Sequence, residues 1–263
     1  MLQKIYMLFI LPLALFIAVI HAETVSGYTR PLAVSEEIWD AASQHFLLET
    51  HPLKETLDAI FLDSRAIYCE DSMRAAGFIN PKPQKHTHMV VTRHPDLPGL
   101  VIKTYFDCQR YFEKLREDEQ WLQRIEGARL IQELIDAKGW GGQFKVPKKW
   151  IYPLPPFPKP SKKFQGKYFI LVEEDMDLCD SATNKALWKS SVITFELLDQ
   201  VYFIVTELGL YDSPSTDNLP FSNDGRLAFI DTQYFHIWPV GYNKLYPALS
   251  KEMLSYWKVK IME

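Results

Sequence analysis

The sequence predicts an α+β fold: a small antiparallel sheet, long amphipathic helices, and a helical segment ahead of the sheet. Three observations carry this. Residues 35–64 place Trp39, Phe46 and Leu47 on one face and Leu57, Ile60 and Phe61 on another, at three- and four-residue spacing. His88–Thr92 and Leu100–Tyr105 are short runs rich in β-branched and aromatic residues. They flank the turn cluster His94-Pro95-Asp96-Leu97-Pro98-Gly99, which makes a β-hairpin. Helical period returns over residues 109–137 and 184–208.

The elements follow in order. Met1–Ala22 holds one charge, Lys4, then an uncharged run of 16 residues from Ile5 to Ile20, and ends on a small residue before Glu23. That is the pattern of a secretory signal peptide over residues 1–22. An uncleaved membrane anchor is the alternative, although a spanning helix needs about 20 apolar residues. Residues 23–84 form an N-terminal helical extension, broken at His51-Pro52 because the residue before proline disfavours helix. A further short helix at 65–76 ends near Gly77.

Residues 85–178 form a sheet unit with one long helix. Phe112, Leu115, Trp121, Leu122, Ile125, Ala128, Ile131 and Ile135 are its apolar stripe, and Gly139, Gly141 and Gly142 end it. Trp150–Tyr152 is a short strand, and five prolines between Pro153 and Pro160 stiffen the loop after it. Tyr168–Val172 is a buried strand, followed by the acidic run Glu173-Glu174-Asp175. Residues 179–263 hold the second long helix, stopped at Gly209, a turn at Asn223-Asp224-Gly225, and the strand Leu227–Ile230, which delivers Asp231.

Composition excludes several classes. The chain of 263 residues is 47% hydrophobic and 14% aromatic, so it is neither disordered nor fibrous. Lys and Arg number 29 against 33 Asp and Glu, a net charge of −4, which gives no global basis for nucleic-acid binding. Cys69, Cys108 and Cys179 include no Cys-x-x-Cys pair, so a thiolate zinc site is excluded. His86 and His88 alternate as on one strand face, but two ligands make a weak metal site. Neither a Gly-x-Ser-x-Gly elbow nor a His-Glu-x-x-His helix is present, which argues against common serine hydrolases and zinc proteases.

The chemistry-bearing residues come in an informative order. Val101-Ile102-Lys103 ends a hairpin strand and precedes a Glu-rich helix; a second helix leads to Asp212 and, six residues on, Asn218; Asp231 ends a strand thirteen residues later. Over roughly residues 85–238 this order resembles the protein-kinase-like fold. Val101-Ile102-Lys103 resembles its strand-lysine motif, Asp212 and Asn218 its catalytic loop, and Asp231 the metal-binding Asp of its Asp-Phe-Gly motif.

The resemblance implies a two-lobed kinase-like fold with a small antiparallel sheet lobe, a truncated helical lobe and an N-terminal helical extension. It implies ATP and Mg²⁺ as cofactors: Lys103 on the phosphates, held by Glu119 or Glu126; Glu174 in the linker at the adenine; Asn218 and Asp231 on the metal; Asp212 as catalytic base. Departures point to a reduced form. Gly77-Phe78-Ile79-Asn80-Pro81-Lys82-Pro83 stands where a Gly-rich loop would, Thr232-Gln233 follows Asp231, and the tail after Tyr234 is short for the helices that bind peptide substrates. Two functions follow. One is an exported protein, secreted, periplasmic or host-delivered, binding a nucleotide or phosphorylated ligand, with or without phosphotransferase activity. The other is an inactive pseudokinase-type module acting on a host or envelope protein partner. Nucleic acid is not an expected partner, and a membrane is one only if residues 1–22 remain attached.

Overall fold

The computed structural model describes residues 24–25, 27–62, 64–109, 116–159 and 166–262. The expected signal peptide lies outside them, as do Phe112 and Leu115. The order is β1 (Thr24–Val25), β2 (Tyr28–Thr29), α1 (Glu36–Ser43), α2 (Lys54–Leu62), a 3-10 turn (Ala66–Tyr68), α3 (Glu70–Ala75), β3 (Val90–Thr92), β4 (Leu100–Thr104) and α4 (Glu117–Lys138). Then come β5 (Phe144–Lys145), β6 (Lys149–Pro153), β7 (Phe169–Glu174), α5 (Ser181–Lys189), α6 (Phe195–Glu207), β8 (Leu227–Ala228), a 3-10 segment (Tyr242–Ala248) and α7 (Lys251–Lys260). The fold is α+β with a small antiparallel sheet, as the periodicities predict. Among the described residues no helix is long and apolar enough to cross a membrane.

The main sheet has the order β3-β4-β7-β6, antiparallel throughout. β3 and β4 are the expected hairpin, with Val91 opposite Lys103. Phe169–Val172 of β7 is fully buried between two neighbouring strands. β7 also runs two residues beyond Val172, through Glu173 and Glu174, which the sequence reading placed in a linker. The reason is electrostatic: Glu173 lies opposite Lys149 of β6 and diagonal to Lys103 of β4, so a buried carboxylate in mid-sheet has partners on both sides.

Other departures have local causes. The single helix expected over 184–208 is two, because Asp180 and Thr194 each cap a new N-terminus: Asp180 accepts from the N–H groups of Ala182 and Thr183, and Thr194 from that of Leu197. The strand expected at 227–230 pairs only over Leu227–Ala228, in parallel with β5. A pair of two-residue strands is too short to show a period. His86 lies in a turn and His88 has φ of 57°, so the two do not alternate along a strand. Among the described residues no three His, Cys, Asp or Glu side chains are grouped to hold a metal ion.

Among the described residues two hydrophobic cores form. One joins α1, α2 and α3 to the sheet, around Trp39, Phe61, Ile102 and Phe169. The other joins α5, α6 and α7, around Trp188, Val201, Ile204 and Trp257. α4 serves both: Trp121 and Ile125 enter the first, Ala128, Ile131 and Ile135 the second. Gly139, with φ of 68°, ends α4 in the left-handed conformation that glycine adopts without strain. A helix shared by two cores fixes their relation, and the cleft described below lies where its middle turns face the strand ends.

Candidate functional site

Four segments converge on this cleft of about 410 Å³: β4 brings Lys103, β7 brings Glu173, α4 brings Arg124, and the chain after β8 brings Ile230 and Asp231. The loop after α6, with Asp212, Asp217 and Asn218, lines it too. Sequence proximity predicts none of this. Lys103 and Ile230 are 127 positions apart, yet the Lys103 ammonium donates to the Ile230 carbonyl at 3.2 Å.

Close packing places Asp231. Gly127 on α4 lets the chain pass at its surface; a Cβ there would lie 1.9 Å from the Thr232 carbonyl oxygen. The Thr232 hydroxyl donates to the Arg124 carbonyl, pinning the segment to the helix. Arg124, one turn before Gly127, then meets Asp231 at 2.5 Å. Arg124 and Gly127 lie about one turn apart, so one face of α4 meets the chain at Asp231 and Thr232.

The floor is a buried ion network. Glu173 accepts from Lys103 at 2.8 Å and from Lys149 at 2.7 Å, and all three side chains are buried. Burial alone would raise the Glu173 pKa, but the two ammonium groups outweigh it and hold the carboxyl below its ordinary range. Lys149 is driven down to about 8, first by burial and then by the neighbouring Lys103, against the pull of Glu173. Lys149 also donates to the Ile230 carbonyl, at 3.3 Å. At Asp231, burial opposes ionisation, but Arg124, Lys103 and Lys149 keep the carboxyl below its usual value. Arg124 is buried, and its Nε has no hydrogen-bond partner among the described residues.

The rim is acidic. Asp212 is half-exposed and ion-paired with Lys244, whose ammonium sits 4.9 Å from the centre of the Tyr211 ring. Asn218 donates its amide to the Asp212 carbonyl at 2.9 Å and carboxylate at 3.2 Å. Gly209, with φ of 57°, lies under Trp238, and the N–H of Ile237 donates to its carbonyl at 2.9 Å, so the C-terminal segment braces this loop. Arg93 pairs with Asp175 at the other side, and Asp217 is exposed.

Lys103, Asp231, Asn218, Asp212 and Glu174, all named from sequence, therefore line one cleft. Two expected residues do not. Glu119 accepts from the Arg116 N–H at 2.8 Å and serves the start of α4; Glu126 pairs with Arg129 in solvent. The partner of Lys103 is Glu173, a carboxylate on the diagonal of the neighbouring strand, within 2.8 Å. Glu174 has its N–H on the Lys148 carbonyl and its carboxylate on the Lys148 N–H, which turns it partly away from the cleft. Arg124, Lys149, Glu173 and Lys244 were missed as site residues. A glycine one turn after Arg124 on the same face of α4 was the available signal for the first; no sequence signal marks the other three.

The donor set suits phosphate better than a divalent cation. Cationic side chains converge at the floor, and Val91, Val101, Met176 and Leu178 line the same cleft with apolar surface suited to a flat ring. At the expected Mg²⁺ position, by contrast, Asp231 is already neutralised by Arg124 and faces two lysines, and the Asn218 amide is turned to Asp212. The expectation of Mg²⁺ on Asn218 and Asp231 does not match this arrangement.

No protein-family model and no curated protein matches the chain. Among solved structures it is similar to the complex of Rv3197 with erythromycin from Mycobacterium tuberculosis, at 12% identity and a TM-score of 0.30. That match covers 90% of this chain and 68% of the other. A likeness of that size carries no inference about fold or function.

Proposed function

We propose that the protein is an exported, kinase-like binding protein that holds a nucleotide or another phosphorylated ligand in the cleft between its sheet and its helices. One observation carries this reading: Lys103 and Asp231, far apart in sequence, meet across a single cleft, joined through the Ile230 carbonyl and a shared ring of charges. The order of elements around them supports it as well: strand lysine, helix, three strands, two helices, Asp–Asn loop, short strand and Asp. Export follows from the signal peptide expected over residues 1–22.

A specific observation favours binding without phosphoryl transfer, as in a pseudokinase-type module that engages a protein partner. Both carboxylates that would act in chemistry are engaged by cations, Asp212 by Lys244 and Asp231 by Arg124.

A ligand that binds only the folded state raises its melting temperature. At about a hundredfold over Kd, the gain is about 2.7 kcal/mol. Thermal denaturation with ATP, in Mg²⁺ and in EDTA, is expected to show this rise in at least one condition. Lys103→Met is expected to lose it while still folding, because Glu173 keeps Lys149 as its partner. An unmodified protein whose melting is unaffected by nucleotide or phosphate would remove this reading.

A further inference from the structure

The charge distribution in the cleft narrows the ligand. At the floor three cations, Lys103, Arg124 and Lys149, face two carboxylates, Glu173 and Asp231, so the buried network carries one positive charge in excess. At the rim Asp175 is balanced by Arg93 and Asp212 by Lys244, but Glu174 and Asp217 have no cationic partner among the described residues. The cleft is thus positive within and negative at its edge. One phosphate group, of charge about −1.5 to −2 near pH 7, more than uses the single positive charge in excess at the floor. A polyphosphate chain would run its further charges past uncompensated carboxylates, and would need a metal ion to screen them. Asp231, where that ion would sit, is held by Arg124. The Arg124 Nε is buried without an acceptor among the described residues, so the guanidinium that lines the cleft is not fully paired.

We propose that Arg124 takes the place of a divalent cation in this cleft, and that the ligand is a phosphomonoester bound directly by Arg124 and Lys103 without metal. This inference rests on the reading of the cleft as a phosphate site. Guanidinium and phosphate match as a planar fork on two oxygens, which an ammonium cannot reproduce. The shared chemistry is the phosphomonoester. Adenosine monophosphate and ribose 5-phosphate distinguish a nucleotide source from a sugar phosphate, since only the first offers a flat aromatic base to Val91, Val101, Met176 and Leu178.

The test is calorimetric titration of the full chain with adenosine monophosphate, ribose 5-phosphate and ATP, each in EDTA and in Mg²⁺. At least one monophosphate is expected to bind equally well in both, and ATP no more tightly than it. Arg124→Lys is expected to weaken that binding at least about tenfold, the loss of one charge-assisted bond. Asp231→Asn is expected to tighten it, because a negative charge beside the phosphate is removed and Arg124 is freed. Binding seen only with ATP and Mg²⁺ would overturn this inference and leave the broader reading standing. So would loss of binding in an Asp231→Asn protein that still melts cooperatively, as a metal ligand predicts. Absence of binding by all three compounds in both conditions would overturn both.

Discussion

Glu173→Gln is expected to lower the stability of the fold by about 3–5 kcal/mol near neutral pH, the cost of removing one partner from a buried ion pair. The native carboxylate serves two lysines, Lys103 and Lys149, that are almost wholly removed from water. An amide of the same shape keeps the packing and withdraws the charge, leaving two ammonium groups facing each other in the sheet. Lys149, already at about 8 in the native network, falls further below its usual 10.5. A lysine depressed in the folded state destabilises it at low pH, and the deficit closes as pH rises toward the unfolded value. Urea unfolding of Glu173→Gln is therefore expected to show a large loss at pH 7 and a smaller one near pH 10. Adding Lys149→Met is expected to recover part of the loss, because the uncompensated charge leaves with the side chain. A loss below about 1 kcal/mol at pH 7 would mean that Glu173 does not hold the floor together.

Glu117→Gln is expected to act in the opposite direction. Glu117 begins α4 and accepts from the N–H groups of Tyr168 at 2.7 Å and Phe169 at 3.3 Å, tying the helix to the start of β7. Its second oxygen is buried without a hydrogen-bond partner among the described residues. Burial pushes its pKa from 4.5 up to about 7, against the pull of the two N–H groups and of Lys167. The folded state thus favours the protonated acid. That contribution is complete below about pH 4.5 and is lost as pH rises through about 7. The difference amounts to about 3 kcal/mol by pH 8. Glutamine reproduces the neutral acid and keeps the accepting oxygen, so the variant is expected to be the more stable protein at pH 8 and nearly equal to it at pH 4.5. Denaturant titrations across this range check it; parallel pH profiles for the two proteins would contradict the assignment.

The two substitutions also show what a linear sequence reveals and what it conceals. The hairpin, the break at His51-Pro52, the stop at Gly209 and most of α4 follow from local signals: turn residues, a proline, a glycine, a 3.6-residue period. Lys103, Asn218 and Asp231 stood out because strand ends and a loop present polar groups in a known order, and they do share a cleft. Their partners were hidden. Glu173 looked like the first residue of an acidic linker, because nothing local says that Lys149 will lie beside it; the β6–β7 register decides that. Glu119 and Glu126 share the helix flank near Leu122 by periodicity, but a capping bond and an exposed Arg129 claim them. Arg124 was overlooked because an arginine amid an apolar stripe reads as surface until the chain at Thr232 closes over Gly127. Local chemistry sets the elements, whereas the charge pairing of the site depends on contacts up to 127 residues apart.

The central claim, in its nucleotide form, is that a nucleotide's phosphate sits at Lys103. A nucleoside acyl phosphate tests it directly, because it passes its acyl group to a lysine nitrogen beside the phosphate and releases the nucleotide. Treated protein is digested and its acylated lysines identified by mass spectrometry, with and without excess free nucleotide. The prediction is acylation of Lys103, which lines the cleft, and its protection by the competitor. Acylation confined to exposed lysines such as Lys251 and Lys258, unaffected by competitor, would contradict it.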